Sequence, residues 1–539
     1  MQANSSSICG REAGFIVGET SPLEFTFVSS RELLPPRLEY LVVPDVEEKG
    51  SGDFNSDGTA SAHVDILAQV IEIGIGSSVL SESLTYDETM AILRGSYAPQ
   101  PKMIGRARVI GYLTKGVVRT PRCAAIPGST VYVASDALLQ RFFSVDVTAG
   151  VQIGTLINRP NVPVLLDPNG LRRHLAIVAQ TGAGKSYLAG KFFESLLQQG
   201  ATILVFDPNS DYVQLRKQTG QEERPYHSAE RTPFADDILI YRIPGIQGRR
   251  FPDTLIGDVR SCEQLQKAGA DYRPDELISA LKDIASGSKD GEVTSDQETA
   301  QENVLGSEER RAARKAAQYI ENLRRFPIWD YHDVNMQELL QPQQLTVLDL
   351  AGADKLVAAY AAERILREVW KRAVTGQLHH PIFIVLEESH NLIPANSQTR
   401  ASRIINTVAA EGRKFRVFLT LITQRPSKIS PDALSQCGSQ IIMQLTNPDD
   451  QRAVQKASEA ISADLLNDLP GLNKGEAIVL GQLTRIPVMV RIAGRVSAEG
   501  GSDVDIVDEL RRARQDVKAA RMTAKFRTQA AGPRQQEEW

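Results

Sequence analysis

Residues 175–186 read Leu175-Ala-Ile-Val178-Ala-Gln-Thr-Gly182-Ala-Gly184-Lys185-Ser186. Four apolar residues predict a short buried strand, and Tyr187 to Gln199 predicts a helix. The glycine-rich turn between them completes the strand–turn–helix order that cradles phosphate. Gly182 and Gly184 allow backbone conformations that aim successive N–H groups inward. The helix N-terminus adds partial positive charge. Ala179 stands where a glycine is common, and that position needs only a small side chain. Lys185 would reach the β- and γ-phosphates of ATP, and the Ser186 hydroxyl would ligate Mg²⁺. The nucleotide-binding candidates are therefore Gln180, Thr181, Gly182, Ala183, Gly184, Lys185, Ser186 and Tyr187.

Such a loop needs carboxylates for the metal and for the attacking water. The run Ile382-Phe-Ile-Val-Leu386-Glu387-Glu388 supplies them at the end of a predicted buried strand. Ligands of parallel sheets bind at that end. Glu387 is the candidate for Mg²⁺, and Glu388 for polarising water. Asp207 ends a second apolar run, Ile203–Phe206, and would face the same crevice; an Asp-Pro turn former is its plainer reading. Gln424 ends the run Leu419–Ile422 and is placed either to sense the γ-phosphate or simply to turn the chain.

Outward from this centre, the 539 residues predict two or three domains. Apolar residues make up 42% and charged residues 24%, as in ordinary soluble globular chains. A net charge of −5 gives no general pull toward nucleic acid, so a DNA site would have to be a local basic surface. The four cysteines lie far apart without a CxxC pair, which argues against a disulfide framework and a cysteine zinc site and fits a reducing cytoplasm; Cys437 reads as a buried, inert thiol. No signal pattern or long apolar run is present, so no membrane span is expected.

Residues 1–160 are rich in short β-prone runs and predict a small β-barrel or sandwich, with a Gly/Ser/Asp-rich hairpin loop at 47–61. Residues 161–259 and 342–500 alternate buried strands with helices, which predicts a RecA-like α/β core with a mainly parallel sheet. Residues 260–341 read as a helical insertion whose stretch 286–310 is either flexible or a solvated helix pair. Residues 501–539 read as a helical tail. From 510 onward it carries eight Lys/Arg against three Asp/Glu, which suits a solvated helix better than a DNA arm. Arg249-Arg250 would be a surface turn or a pore lining. His379-His380 reads as a solvated turn.

Six segments in fixed order resemble the HerA family, within the HerA/FtsK branch of ring ATPases. They are AQTGAGKS (179–186), DPNSDY (207–212), VLEESHNLIP (385–394), EGRKFRVFLTLITQRPSKI (411–429), LSQCGSQIIMQLTNPDD (434–450) and LPGLNKGEAIVLG (469–481). The likeness covers about 171–496. On strand pattern and position alone, the N-terminal region looks like the family's HAS-barrel.

The resemblance implies that Lys185 and Ser186 bind nucleotide and metal, that Asp207 and Glu388 are catalytic acids with Glu387 beside the metal, and that Gln424 is a sensor. It implies that Arg413 is an arginine finger reaching a neighbouring subunit, with Lys414, Arg416 and Arg425 as competitors, and that Arg173 serves the ATP site. His390 is either a relay or an ordinary hydrogen-bonding histidine. A homo-hexamer on double-stranded DNA is implied as a translocase or helicase. Its barrels would dock a NurA-like nuclease in DNA-end processing, or a sirtuin-like or nuclease effector in anti-phage defence. An ATPase scaffold that activates such an effector is the rival reading; a motor acting on protein is a third.

Overall fold

The β-prone runs of the N-terminal region pair edge to edge. β1 (Cys9–Val17), β2 (Glu24–Ser29), β3 (Tyr40–Glu48), β4 (Ala62–Gly76), β5 (Lys102–Thr114), β6 (Val117–Arg119) and β7 (Thr130–Ala134) form one sheet in the order β2-β1-β7-β3-β4-β5-β6. A further pairing, with Phe25 opposite Ala107, joins β2 to β5 and closes six strands into a barrel. Closure removes free sheet edges. Phe25, Phe27, Leu41, Val43, Ile66, Ala68 and Val131 fill the interior. Gly105 makes room for the ring of Phe27: a Cβ there would lie 2.2 Å from its Cζ.

This computed structural model describes residues 8–49, 62–77, 79–94, 101–143, 145, 150–218, 233–242, 274–286, 307–323, 335–458, 460–500, 506–507 and 509–517. Arg249-Arg250, most of the 47–61 loop, much of the insertion and the end of the tail lie outside them. β3 and β4 do pair across that loop, with Glu48 opposite Ala62. Among the described residues no helix is long and apolar enough to cross a membrane.

The second sheet contains β8 (Val151–Leu156), β9 (Arg159–Leu166), β10 (Leu175–Val178), β11 (Thr202–Asp207), β12 (Ile238–Arg242), β13 (Leu345–Asp349), β14 (Ile382–Leu386), β15 (Val417–Thr423), β16 (Ser439–Met443), β17 (Glu476–Gly481) and β18 (Val488–Ile492). Their order is β12-β13-β11-β14-β15-β10-β16-β17-β18-β8-β9. The run β12 to β16 is parallel throughout, and the remaining strands add antiparallel. The fold is α/β, as the alternation of strands and helices predicts. The parallel strands β10, β11, β13 and β16 are buried along their whole length, as their largely apolar sequences favour. β15 lies between the phosphate-loop strand and the acid strand, so the ends of β10, β15 and β14 stand side by side.

Between β12 and β13 the helices Pro274–Ser286 and Ser307–Leu323 pack on each other through Ile278, Leu281, Ala285, Ala313, Ala317 and Ile320. This small core is separate from the main one.

The barrel meets the α/β core through apolar and charged contacts. Tyr40, Val42 and Leu67 join the main core together with Phe142 and Phe143. Asp468, only 4% exposed, pairs with Arg37 and lies 3.5 Å from Nη1 of Arg108. Burial pushes the Asp468 carboxyl up against the pull of both arginines, and lowers Arg108. Desolvation thus exceeds the attraction, so this cluster fixes the seam more than it stabilises it. Asp468→Ala would leave Arg108 half-compensated in the interface. Its expected cost is roughly 3 kcal/mol, read as a lowered denaturant midpoint.

Candidate active site

Two glycines shape the phosphate loop. Gly182 (φ 82°) and Gly184 (φ 101°) take left-handed conformations, and Gly184 caps the helix Lys185–Gln198. Hydrogen bonds tie the loop to its neighbours. The Gln180 N–H donates to the Gln444 carbonyl at 3.0 Å, and the Gln180 side chain donates to Gln444 Oε1 at 2.8 Å. Thr446 donates to Gln180 Oε1 at 2.8 Å. The Gly475 N–H donates to the Ala183 carbonyl at 3.2 Å, which brings the segment 469–475 behind the loop.

The acids converge on Lys185. Its Nζ lies 2.5 Å from Glu387 Oε1 and pairs also with Glu388 Oε1. Glu387 is fully buried and Glu388 nearly so, at 6% exposure. Burial acts to lower the Lys185 ammonium, but the two carboxylates outweigh it and the net shift is upward. Burial raises Glu387 against the pull of Lys185 and Tyr212. In Glu388 the same desolvation is outweighed by His390 and Lys185, so its carboxyl stays below the ordinary range. Glu388 adopts φ 46°, a left-handed conformation rare outside glycine, at the point where the chain leaves β14.

Gln424 meets the loop from β15. The Thr181 hydroxyl donates to Gln424 Oε1. One residue earlier, Thr423 Oγ1 lies 3.1 Å from His390 Nδ1, which lies 3.2 Å from Glu388 Oε2. The water-polarising candidate and the sensor candidate therefore share one chain of contacts.

The segment 207–212 closes the crevice. Asp207, fully buried, accepts the N–H groups of Asn209 and Asp211 at 3.1 Å each and of Tyr212 at 2.9 Å. Burial pushes its carboxyl up to about 7, against those hydrogen bonds. Ser186 Oγ donates to Asp211 Oδ2 at 2.9 Å, and the Tyr212 hydroxyl donates to Glu387 Oε2 at 2.6 Å. Tyr187 points elsewhere: its hydroxyl accepts the Arg495 N–H at 3.0 Å, and the Arg495 guanidinium lies 5.7 Å from its ring.

Arg173 and Arg413 do not join this cluster within one chain. Both are exposed and both precede a strand, β10 and β15 respectively, whereas the site lies after those strands. Seven residues of β15 separate Arg413 from Gln424, about 20 Å of extended chain. His174 binds this far edge together. Its Nδ1 accepts the Leu419 N–H at 2.9 Å, and its Nε2 lies 3.0 Å from the Ala409 carbonyl.

A magnesium ion fits the donor set. Ser186 and Glu387 offer hard oxygens, the ligand type Mg²⁺ takes. Among the described residues no group of three or more His, Cys, Asp or Glu side chains could hold a metal alone. Such an ion would complete its shell with water and phosphate oxygens, as is usual for nucleotide sites.

Residues 151–369 match the family model described as helicase HerA, central domain. The chain is 30% identical over 473 residues to the DNA double-strand break repair helicase HerA of Pyrococcus furiosus, covering 77% of this chain and 83% of that one. The chain belongs to the HerA family. It is 29% identical over 516 residues to the probable helicase MJ1565 of Methanocaldococcus jannaschii, covering 92% and 93%. It is 29% identical over 415 residues to the HerA helicase of Saccharolobus solfataricus, covering 76% and 81%. As a HerA member it is an ATP-hydrolysing enzyme of the helicase type.

Two groups at this HerA site, and one at the far end of its strands, escape a reading by motif. Asp211 and Tyr212 stand inside the quoted DPNSDY run, but only the fold shows what they touch. His174 is a lone histidine between Arg173 and β10, with no spacing signal at all. Burial lowers it from an ordinary 6.5 to about 4, with Arg413 adding to the effect and the Ala409 bond opposing it. The folded chain therefore refuses a proton that the unfolded chain accepts, and His174's contribution to stability is lost as pH falls from 6.5 toward 4. The stability advantage of wild type over His174→Gln should shrink by roughly 2 kcal/mol between about pH 7.5 and about pH 5, measured by urea unfolding of both proteins.

Proposed function

We propose that this chain is a hexameric, ATP-driven motor that translocates on or unwinds double-stranded DNA in the cytoplasm. The observation that carries this reading is the separation of Arg413 from its own chain's phosphate site by the length of β15. An exposed arginine at the opposite sheet edge can complete a site only on a neighbouring copy. A ring provides that neighbour, and each site then stays incomplete until the next subunit docks. Arg173, on the same edge, would face the same neighbour. The relatives named as DNA double-strand break repair helicases support DNA as the track. Contacts to phosphates rather than to bases would make the motor indifferent to sequence and sensitive to salt.

Within the site, Lys185 leaves the two carboxylates and binds the phosphates. Glu388 is then free to take a proton from the attacking water, with His390 beside it. Gln424, already bonded to Thr181, reports on the γ-phosphate. Mg²⁺ held by Ser186 and Glu387 would neutralise charge on the transferring phosphoryl group. We propose further that residues 1–160 form the docking unit for a partner nuclease or defence effector, that 161–259 and 342–500 form the motor, and that 260–341 and 501–539 are accessory. The role in DNA-end processing or anti-phage defence follows from that partner.

The test is ATP turnover by size-defined assemblies, with and without long duplex DNA. Duplex DNA should raise the wild-type rate. Lys185→Ala should abolish turnover, and Glu388→Gln should abolish it while nucleotide stays bound. Arg413→Ala should lower the rate by roughly 10³-fold. Mixing Arg413→Ala with Lys185→Ala should restore part of the activity, because one variant keeps the site and the other keeps the arginine. A full rate from a lone monomer overturns the ring. A rate indifferent to DNA overturns the motor in favour of an effector scaffold.

A further inference from the structure

We infer that the consecutive residues Asp211 and Tyr212 are positioning residues for the metal that accompanies ATP, each fixing one of the two protein groups that would hold it. The inference deepens the ATPase reading and rests on it. A hydroxyl that ligates a cation through its oxygen still carries a proton, and that proton needs an acceptor. For Ser186 the acceptor is Asp211 Oδ2, at 2.9 Å. The bond turns the remaining lone pairs of Ser186 Oγ away from Asp211.

Tyr212 does the complementary work on Glu387. Its hydroxyl occupies Oε2 at 2.6 Å, while Oε1 faces Lys185 at 2.5 Å. When Lys185 turns to the phosphates, Oε1 is the oxygen left open. The direction of the Tyr212 hydroxyl is itself fixed, because the ring is fully buried edge-on to Phe193, with centroids 5.2 Å apart.

One loop thus sets both ligands, and the loop is held from outside the site. Asp207 gathers the N–H groups of Asn209, Asp211 and Tyr212 onto one carboxylate. Ser210, at φ 60°, donates to Asp349 Oδ1 at 2.7 Å, and the Gly500 N–H donates to the Asp211 carbonyl at 3.1 Å. The resemblance implies a catalytic acid at Asp207; the geometry assigns it the anchoring of this loop, since both its oxygens are engaged by backbone.

The experiment is calorimetric titration of a non-hydrolysable ATP analogue into the full chain, in Mg²⁺ and in EDTA. The proteins are wild type, Asp211→Ala, Asp211→Asn, Tyr212→Phe and Lys185→Ala. Loss of a group that orients a metal ligand should weaken Mg²⁺-supported binding about 10-fold or more, and EDTA binding by less than about twofold. Asp211→Asn keeps a weaker acceptor and should fall between wild type and Asp211→Ala. Tyr212→Phe keeps the packing on Phe193, so with Asp211→Asn it carries the test if Asp211→Ala does not fold. Electron paramagnetic resonance of Mn²⁺ with the analogue bound should change in the same variants. An equal loss in both buffers, or normal Mg²⁺-supported affinity in either the Asp211 or the Tyr212 variant, overturns the inference. If wild type binds no analogue, or Lys185→Ala binds it as well as wild type, the ATPase reading fails instead.

Discussion

One ammonium balances two buried carboxylates at the end of β14, and the organisation of the crevice follows from that pairing. Glu387 and Glu388 are adjacent and almost without solvent, so neither could stay charged beside the other alone. Lys185 makes the arrangement tolerable by pairing with both acids. A triphosphate competes for the same charge. The left-handed backbone at Glu388 is the strain that holds its side chain within reach of both Lys185 and His390.

Much of this was legible in the chain itself. Gly182 and Gly184 announce left-handed turns, and the apolar runs ending in Asp207, Glu387 and Gln424 announce strands that deliver polar groups at one edge. The barrel strands from Phe15, Phe25, Tyr40, Val64, Ala107 and Thr130 follow from their short apolar runs. The pairing of β8 and β9 with β18 was not legible, because local pattern names a strand without naming its partner. That hairpin straddles position 160 and belongs to the large sheet. β12 escaped for a similar reason: five residues, Ile238–Arg242, carry too little pattern to stand out. Asp211 and Tyr212 show the same limit at the site. Composition marks them as polar and aromatic, but the partners that define them lie 25 and 175 residues away.

The seam between barrel and core follows a different logic from the crevice. In the crevice, one ammonium faces two buried carboxylates. At Asp468 the charges are held between Arg37 and Arg108, where burial costs more than the pairing returns. The cluster joins the barrel, through Arg37 and Arg108, to the segment that bears Asp468. The segment that bears Asp468 continues through Leu469 and Pro470, whose carbonyls contact Leu445 and Gln444 behind the phosphate loop. The barrel is thus seated on the same stretch of chain that backs the loop.

β15 has a consequence of its own. It carries Gln424 at one end and Arg413 just before the other, and it is hydrogen-bonded along both sides by β10 and β14. A strand clamped in that way cannot stretch or fold between its ends. The end that meets Thr181 through Gln424 and the end that follows Arg413 are therefore held at a fixed separation. His174 pins the far end to the helix Ser402–Glu411, so the backbone on both sides of Arg413 is tied to the sheet.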